Sequence, residues 1–265
     1  MYEGFASYYD ELMDNIPYDE WADRIDKLLS EYGAASGLVC ELGCGTGELT
    51  LRLMKKGYDM IGIDNSSEML ALAMEKQEQE EAKALYLLQD MREFELYGTV
   101  NAVVSACDSV NYILVPSELE MVFKLVNNYL ETDGVCVFDF HTKHYYEELA
   151  DSTIAEARDD ISFIWDNYYD AESGVNELAL TLFIKTEGGL YERTDELHLQ
   201  RAYTLEEIKE LIERSGMKFV AAYDDYTDRE ADESSDRIVV IAREYTPAGA
   251  KKELSDRLRE SQCIL

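Results

Sequence analysis

The sequence predicts an α/β fold: a doubly wound, mostly parallel sheet that carries a small antiparallel β insert. Three observations predict it. Residues 38–50, LVCELGCGTGELT, read as a buried strand, a turn with glycine at every second position and the start of a helix. From there to residue 144, short apolar runs alternate with stretches of helical periodicity, as in chains that wind helices around a parallel sheet. Residues 145–202 break this pattern with long two-residue alternation, after which the α/β pattern resumes.

Composition bounds the rest. A chain of 265 residues with 46% hydrophobic residues supports one large α/β domain with an insertion and excludes global disorder. The net charge of -32 repels phosphate backbones and anionic membranes, so neither nucleic acid nor a membrane is an expected partner. No apolar run approaches the ~18 residues of a membrane span, and no signal peptide opens the chain. Five cysteines are scattered without a C-x-x-C pair. Cys40, Cys107 and Cys136 sit in or beside apolar strands as small hydrophobes, which suits a reducing cytoplasm. Cys263-Ile-Leu at the end is one residue short of a prenylation box.

Taken in order, residues 1–32 read as two short helices separated by Pro17. The first carries Phe5, Tyr8, Tyr9 and Leu12; the second carries Trp21, Ile25, Leu28, Leu29 and Tyr32. The first strand, 38–42, leads into a helix that buries Leu49, Leu51, Leu53 and Met54 and stops at Gly57. The second strand, 59–64, ends in Asp64, and Asn65 or Ser66 caps the next helix. Residues 75–83 are a solvated, charged face. Strands follow at 85–88 and 102–106. The S-x-x-E pattern of Ser117 and Glu120 predicts a capping box opening a helix, before a fifth strand at 135–140. The insert reads as three antiparallel strands, at 161–169, 178–185 and 190–199. Its first strand carries Phe163, Trp165, Tyr168 and Tyr169, so both faces hold aromatic groups. Thr204 and Glu207 form another capping box. Strands at 219–223 and 237–242 close the sheet, and the short acidic loop between them, 228–236, implies an antiparallel final pair. Residues 246–265 have no strand pattern; Leu254 and Leu258 suggest a marginal helix or frayed tail. The expected organisation is an N-terminal cap at 1–36, a core at 37–144 and 203–245, an insert at 145–202 and a tail at 246–265.

The chemistry gathers at the strand ends. Gly43, Gly45 and Gly47 let the backbone turn sharply and let a ligand approach. Asp64 lies about 20 residues further on, where such folds place the carboxylate that accepts ribose hydroxyls. The dinucleotide pattern G-x-G-x-x-G fails, because Glu48 holds its last position. Ligands in this fold bind outside the carboxyl ends of the strands at a switch point flanked by the first and fourth strands, so Cys107, Asp108 and Ser109 are expected to line the site. His141 follows the fifth strand directly and is a candidate to orient a substrate or accept its proton. His141 and His144 have no third ligand at metal spacing, so no metal site is expected.

The stretch E-L-G-C-G-T-G resembles motif I of class I S-adenosylmethionine (SAM)-dependent methyltransferases. The opening FASYYDELM resembles the F-A-x-x-Y-D-x-L-M start of a group of bacterial small-molecule methyltransferases, and C-D-S-V-N-Y at 107–112 resembles the same group. Together the resemblances span about residues 1–243. They imply a Rossmann-like seven-stranded sheet with the last strand antiparallel, SAM as cofactor and S-adenosylhomocysteine as product. They also imply that Gly43, Cys44, Gly45, Thr46 and Gly47 receive the methionine end, helped by Glu41. Asp64, with Asn65 and Met69 beside it, holds the ribose side, and Asp90 with Met91 holds the adenine. Tyr9, Tyr18 and Trp21 fold over the cofactor from the N-terminal segment, and Tyr9 joins His141 as a candidate catalytic group. The function so implied is methyl transfer to a small-molecule acceptor by a monomer or homodimer, with the insert as wall or lid over the acceptor, or else as a dimer interface. The alternatives are another transferase on the same scaffold, moving a carboxymethyl group (favoured by a basic residue placed for an extra carboxylate) or an aminopropyl group, and a non-catalytic SAM-binding or interaction module.

Overall fold

The computed structural model describes residues 6–245 apart from 79, 82 and 187. Phe5 and the 246–265 tail therefore lie outside the described residues.

The core is one seven-stranded sheet built from β1 (Leu38–Leu42), β2 (Asp59–Asp64), β3 (Leu85–Leu88), β4 (Val100–Ser105), β5 (Leu130–His141), β10 (Lys218–Asp224) and β11 (Arg237–Arg243). Its order is β10-β11-β5-β4-β1-β2-β3. β1 pairs in parallel with both β2 and β4, so the chain leaves β1 in opposite directions and opens a crevice at its carboxyl end. β11 runs antiparallel to both β5 and β10, as the short connecting loop implied. Alternation along β1 separates two apolar layers. Cys40 and Leu42 pack on the side of α5 (Pro116–Tyr129) and α7 (Leu205–Arg214), whereas Val39 packs on the side of α2 (Tyr18–Glu31) and α3 (Glu48–Lys55).

Local signals set most boundaries. Ser66 caps α4 (Ser67–Gln77) by accepting the Met69 N–H. At α7, Thr204 and Glu207 close the reciprocal capping box. The box expected at Ser117 does not form. Val115 is the N-cap of α5 and Pro116 takes the first helical position, where its missing N–H costs nothing. Glu120 instead pairs with Lys124 and Arg214. β5 begins at Leu130, earlier than its apolar run at 135 suggested, and α6 (Lys143–Leu149), unforeseen in the sequence, follows it under a Thr142 cap.

The insert is a separate sheet of four strands, not three. β6 (Thr153–Ala157) precedes β7 (Ile161–Asp170), β8 (Val175–Lys185) and β9 (Tyr191–Arg201). β6 was invisible to periodicity because all five of its residues are exposed, leaving no buried row to alternate. The buried row of the insert packs with α1 (Ala6–Leu12) and α4. Ile161, Phe163, Leu178, Leu180 and Leu182 cluster there with Ala6 and Met69, so this third apolar cluster bridges core, cap and insert.

Candidate active site

A cavity of about 780 Å³ lies between the carboxyl ends of β1–β4, the N-terminal helix and the inner face of the insert. Its size is that of a ligand site. At one end the turn after β1 forms its floor. Gly43, Gly45 and Gly47 all have positive φ. A Cβ on Gly43 would meet Ser109 Oγ at 2.6 Å, so this position has to be glycine for the turn to reach the end of β4. The Gly45 N–H donates to Asp64 Oδ2 at 2.8 Å and the Ser66 N–H to Oδ1 at 2.9 Å, which fixes the carboxylate at the tip of β2. Burial raises the Asp64 pKa, and those N–H groups partly offset it. Glu41 is buried beneath the turn and accepts the Thr50 hydroxyl. Burial pushes its carboxyl up to about 8. Beyond β3, Asp90 is gripped by Arg92, which lowers its pKa. The cap is tied down over the turn: Thr46 Oγ1 donates to Asp10 at 2.6 Å, and Lys76 reaches the other Asp10 oxygen at 2.5 Å.

The other end is a charged knot after β4. Cys107 and Asp108 both have positive φ, at 56° and 50°, a strained turn held by its surroundings. Asp139 Oδ1 accepts the Asp108 N–H at 2.7 Å, and Arg237 bridges Asp108 at 3.0 Å and Asp139 at 2.8 Å. Gln200 from β9 donates to Asp108 Oδ2 at 2.8 Å, and Tyr226 donates to Asp139 at 2.7 Å. Burial pushes Asp108 up, but the Arg237 charge and the hydrogen bonds from Arg237 and Gln200 outweigh it and hold the carboxyl below its usual range. Asp139, fully buried, is raised. Asn111 locks the frame: its amide accepts the His141 N–H and donates to the carbonyls of His141 and Arg201.

His141 stands in this knot with its ring stacked on Tyr145 and Nε2 at 2.8 Å from Arg237. Burial, with the Arg237 charge, depresses its pKa to about 4 against the opposing pull of Asp108. A nitrogen facing a guanidinium and this hard to protonate is poorly placed to take a substrate proton.

Most of the expected site converges on this cavity. Tyr9, Tyr18, Glu41, Gly43, Cys44, Gly45, Thr46, Asp64, Asn65, Met69, Asp90, Met91, Cys107, Asp108, Ser109 and His141 all line it. Two residues do not. Trp21 is buried behind the knot, stacked on Tyr226 at 4.3 Å and beneath the Arg237 guanidinium at 5.0 Å, because its helical face turns toward the sheet. Gly47 opens α3 in the left-handed region, where a Cβ would strike Tyr86 Oη at 2.6 Å, so it serves packing. Tyr112, the last residue of the 107–112 motif, lines the cavity too, as do Asn167, His198, Gln200 and Arg237, which no motif marks. Inward alternation along β7 and β9 was a signal for Asn167, His198 and Gln200. Nothing local marked Arg237.

A glycine turn with a strand-end acid, a second acid after β3 and a lidded cavity at the switch point define a SAM-dependent methyltransferase. Comparison with known proteins agrees. Residues 39–134 match the model of a methyltransferase domain family. "Putative methyltransferase GWCH70_2453" of Geobacillus sp. (strain WCH70) is 35% identical over 244 residues, 91% of this chain and 99% of that protein. "Putative methyltransferase YqeM" of Bacillus subtilis (strain 168) is 38% identical over 248 residues, 92% of this chain and 97% of that one. The crystal structure of a SAM-dependent methyltransferase from Clostridium acetobutylicum superposes with a TM-score of 0.83 at 27% identity, covering 91% of this chain and 98% of the other. The chain belongs to this methyltransferase family, and its cofactor is SAM.

Proposed function

We propose that the enzyme transfers the SAM methyl group to a small molecule held between the core and the insert. The observation that carries this reading is the continuity of the cavity, which runs from the glycine turn, Asp64 and Asp90 to Trp165, His198 and Gln200 on the insert. In this reading Asp64 binds the ribose hydroxyls, with Asn65 and Met69 beside it, and Asp90 with Met91 binds the adenine. The 43–46 turn and Glu41 receive the methionine end. Cys107, Asp108 and Ser109 border the sulfonium, and Tyr9 and Tyr18 close over it. The sulfonium methyl is already activated, so alignment and exclusion of water supply the catalysis. Inward aromatic and aliphatic groups with a few polar ones suit a small organic acceptor.

A carboxymethyl transfer is less well supported. Arg92, Arg158 and Arg237 are the lining cations among the described residues, and each is engaged by carboxylates. None is left for an added carboxylate. The net charge of -32 argues against nucleic acid as acceptor. Among the described residues no helix is long and apolar enough to cross a membrane. Free thiols at Cys40, Cys44, Cys107 and Cys136 suit the cytoplasm, where a monomer or homodimer would act. The test is incubation with methyl-labelled SAM and separated fractions of a bacterial extract. Label in the small-molecule fraction, matched by S-adenosylhomocysteine, is expected. Binding without turnover would make the protein a SAM-binding module, and label in nucleic acid would refute the acceptor class.

A further inference from the structure

The insert buries an acid where its neighbours are apolar. On β9, Glu196, His198 and Gln200 point inward in succession. Across the sheet Glu196 faces Leu180, which in turn faces Trp165, while His198 faces Leu178. The Glu196 side chain is only 5% exposed, and neither of its oxygens makes a hydrogen bond among the described residues. A buried carboxylate in such a row destabilises the fold, and a leucine there would not. Beside it stands His198, with Nε2 at 3.4 Å from Glu196 Oε2. The other ring nitrogen, Nδ1, faces the Tyr112 hydroxyl at 3.4 Å. Tyr112 and His198 both line the cavity. Gln200, one repeat along the same row, already touches Asp108 at the end of β4, so this row reaches the end of the cavity where the acceptor is proposed to sit.

We infer that Tyr112, His198 and Glu196 form a proton relay that removes the proton the acceptor loses on methylation, and that the acceptor atom is therefore an N–H or O–H group. The inference rests on the proposed methyltransferase site. In the step, the acceptor lone pair forms the new bond to the methyl carbon. The carbon–sulfur bond breaks, and its electron pair stays on sulfur as the neutral thioether. The acceptor then carries one proton too many. Tyr112 Oη takes that proton and passes its own to His198 Nδ1. Glu196, facing the Nε2–H, balances the imidazolium. Tyr112 is the catalytic residue that touches the acceptor; His198 and Glu196 act through it. His141 is unsuited to this role because its Nε2 faces Arg237.

Burial pushes the Glu196 carboxyl up to about 7 and the His198 imidazole down. Among the described residues, Glu196 on its own strand and Tyr112 on the turn after β4 face that imidazole; Leu178 lies opposite it on β8 with Leu180 beside it, and Asp108 lies one repeat away behind Gln200. The relay works with Glu196 ionised, so kcat should rise with pH through about 7 and then level.

The experiment uses the full chain, methyl-labelled SAM and the small-molecule fraction of a bacterial extract. His198→Gln is expected to lower label transfer by about 100- to 10,000-fold. Tyr112→Phe should do likewise, while SAM affinity stays within about twofold. Glu196→Gln should lower the plateau and move the rising limb below pH 7. Glu196→Leu should fold with an unchanged or higher Tm, which a structural role would not allow. Wild-type rates in Tyr112→Phe or His198→Gln, or an unmoved limb in Glu196→Gln, would overturn the inference. A wild-type protein that transfers no label would refute the proposed function instead. Histidine nitrogen NMR of the S-adenosylhomocysteine complex then decides the relay alone. Protonated Nε2 on His198 with a titration that Glu196→Gln displaces supports it; an undisplaced titration overturns it.

Discussion

Glu41 is a carboxyl that burial keeps protonated near neutrality, up to a pKa of about 8, directly beneath the turn proposed to receive the methionine end of SAM. An ammonium group arriving there favours the ionised form. The free protein then holds a proton that the complex lacks, so binding releases it and affinity increases as pH rises toward 8. Calorimetry at pH 7 in buffers of different ionisation heat should report about one proton released, and none from Glu41→Gln. Equal heats in the wild type would remove Glu41 from the cofactor site. Asp64→Ala should weaken SAM and S-adenosylhomocysteine by roughly 1.5–3 kcal/mol, one to two decades in affinity. Unchanged affinity in a folded variant would sink the ribose assignment. Glu41 and Asp64 were legible in the sequence because a strand and its adjoining turn place them. Arg237 and Gln200 were not: they meet Asp108 across 129 and 92 residues of chain, and no local pattern encodes that meeting.

At the scale of elements, the cap and the insert meet over the cavity. The N-terminal segment is held by Thr46 and Lys76 through Asp10 on α1, and by Arg158 of the insert through Asp14 just beyond it. Deleting residues 1–16 should leave the sheet folded but lower SAM affinity by at least about tenfold, roughly 1.4 kcal/mol; equal affinity would show that the cap does not cover the cofactor. The insert has two faces with different surroundings. Trp165 lines the cavity, whereas Tyr168, three positions on, is 57% exposed on the outer face beside Ile164. Trp165→Ala should raise the acceptor KM by about tenfold or more through lost aromatic packing, and Tyr168→Ala should leave it unchanged. If Trp165→Ala alters only the sedimentation state, the insert is an assembly surface. The aromatic content of β7 was legible; which ring faces inward followed only from the register against β8, in which Trp165 opposes Leu180. The Thr204 capping box was legible because it is complete within four residues, whereas the one at Ser117 lost to the preceding proline.

Across the whole molecule, the sheet order places the crevice and the second sheet closes it. With β2 on one side of β1 and β4 on the other, the glycine turn, Asp64 and Asp108 open into one space. The α/β order and the antiparallel last strand were readable from the alternation of elements. How the insert sits was not, because its docking depends on a cluster shared by α1, α4 and the two strands β7 and β8. That docking makes one continuous cavity with a proposed cofactor end and a proposed acceptor end. The most direct measurement of this arrangement is a crystal structure of the complex with S-adenosylhomocysteine. The account predicts adenine beside Asp90, ribose hydroxyls on Asp64, and the sulfur facing the chamber between Tyr112 and the insert. A sulfur pointing away from the insert, or a nucleoside bound outside the Asp64–Asp90 end, would contradict it.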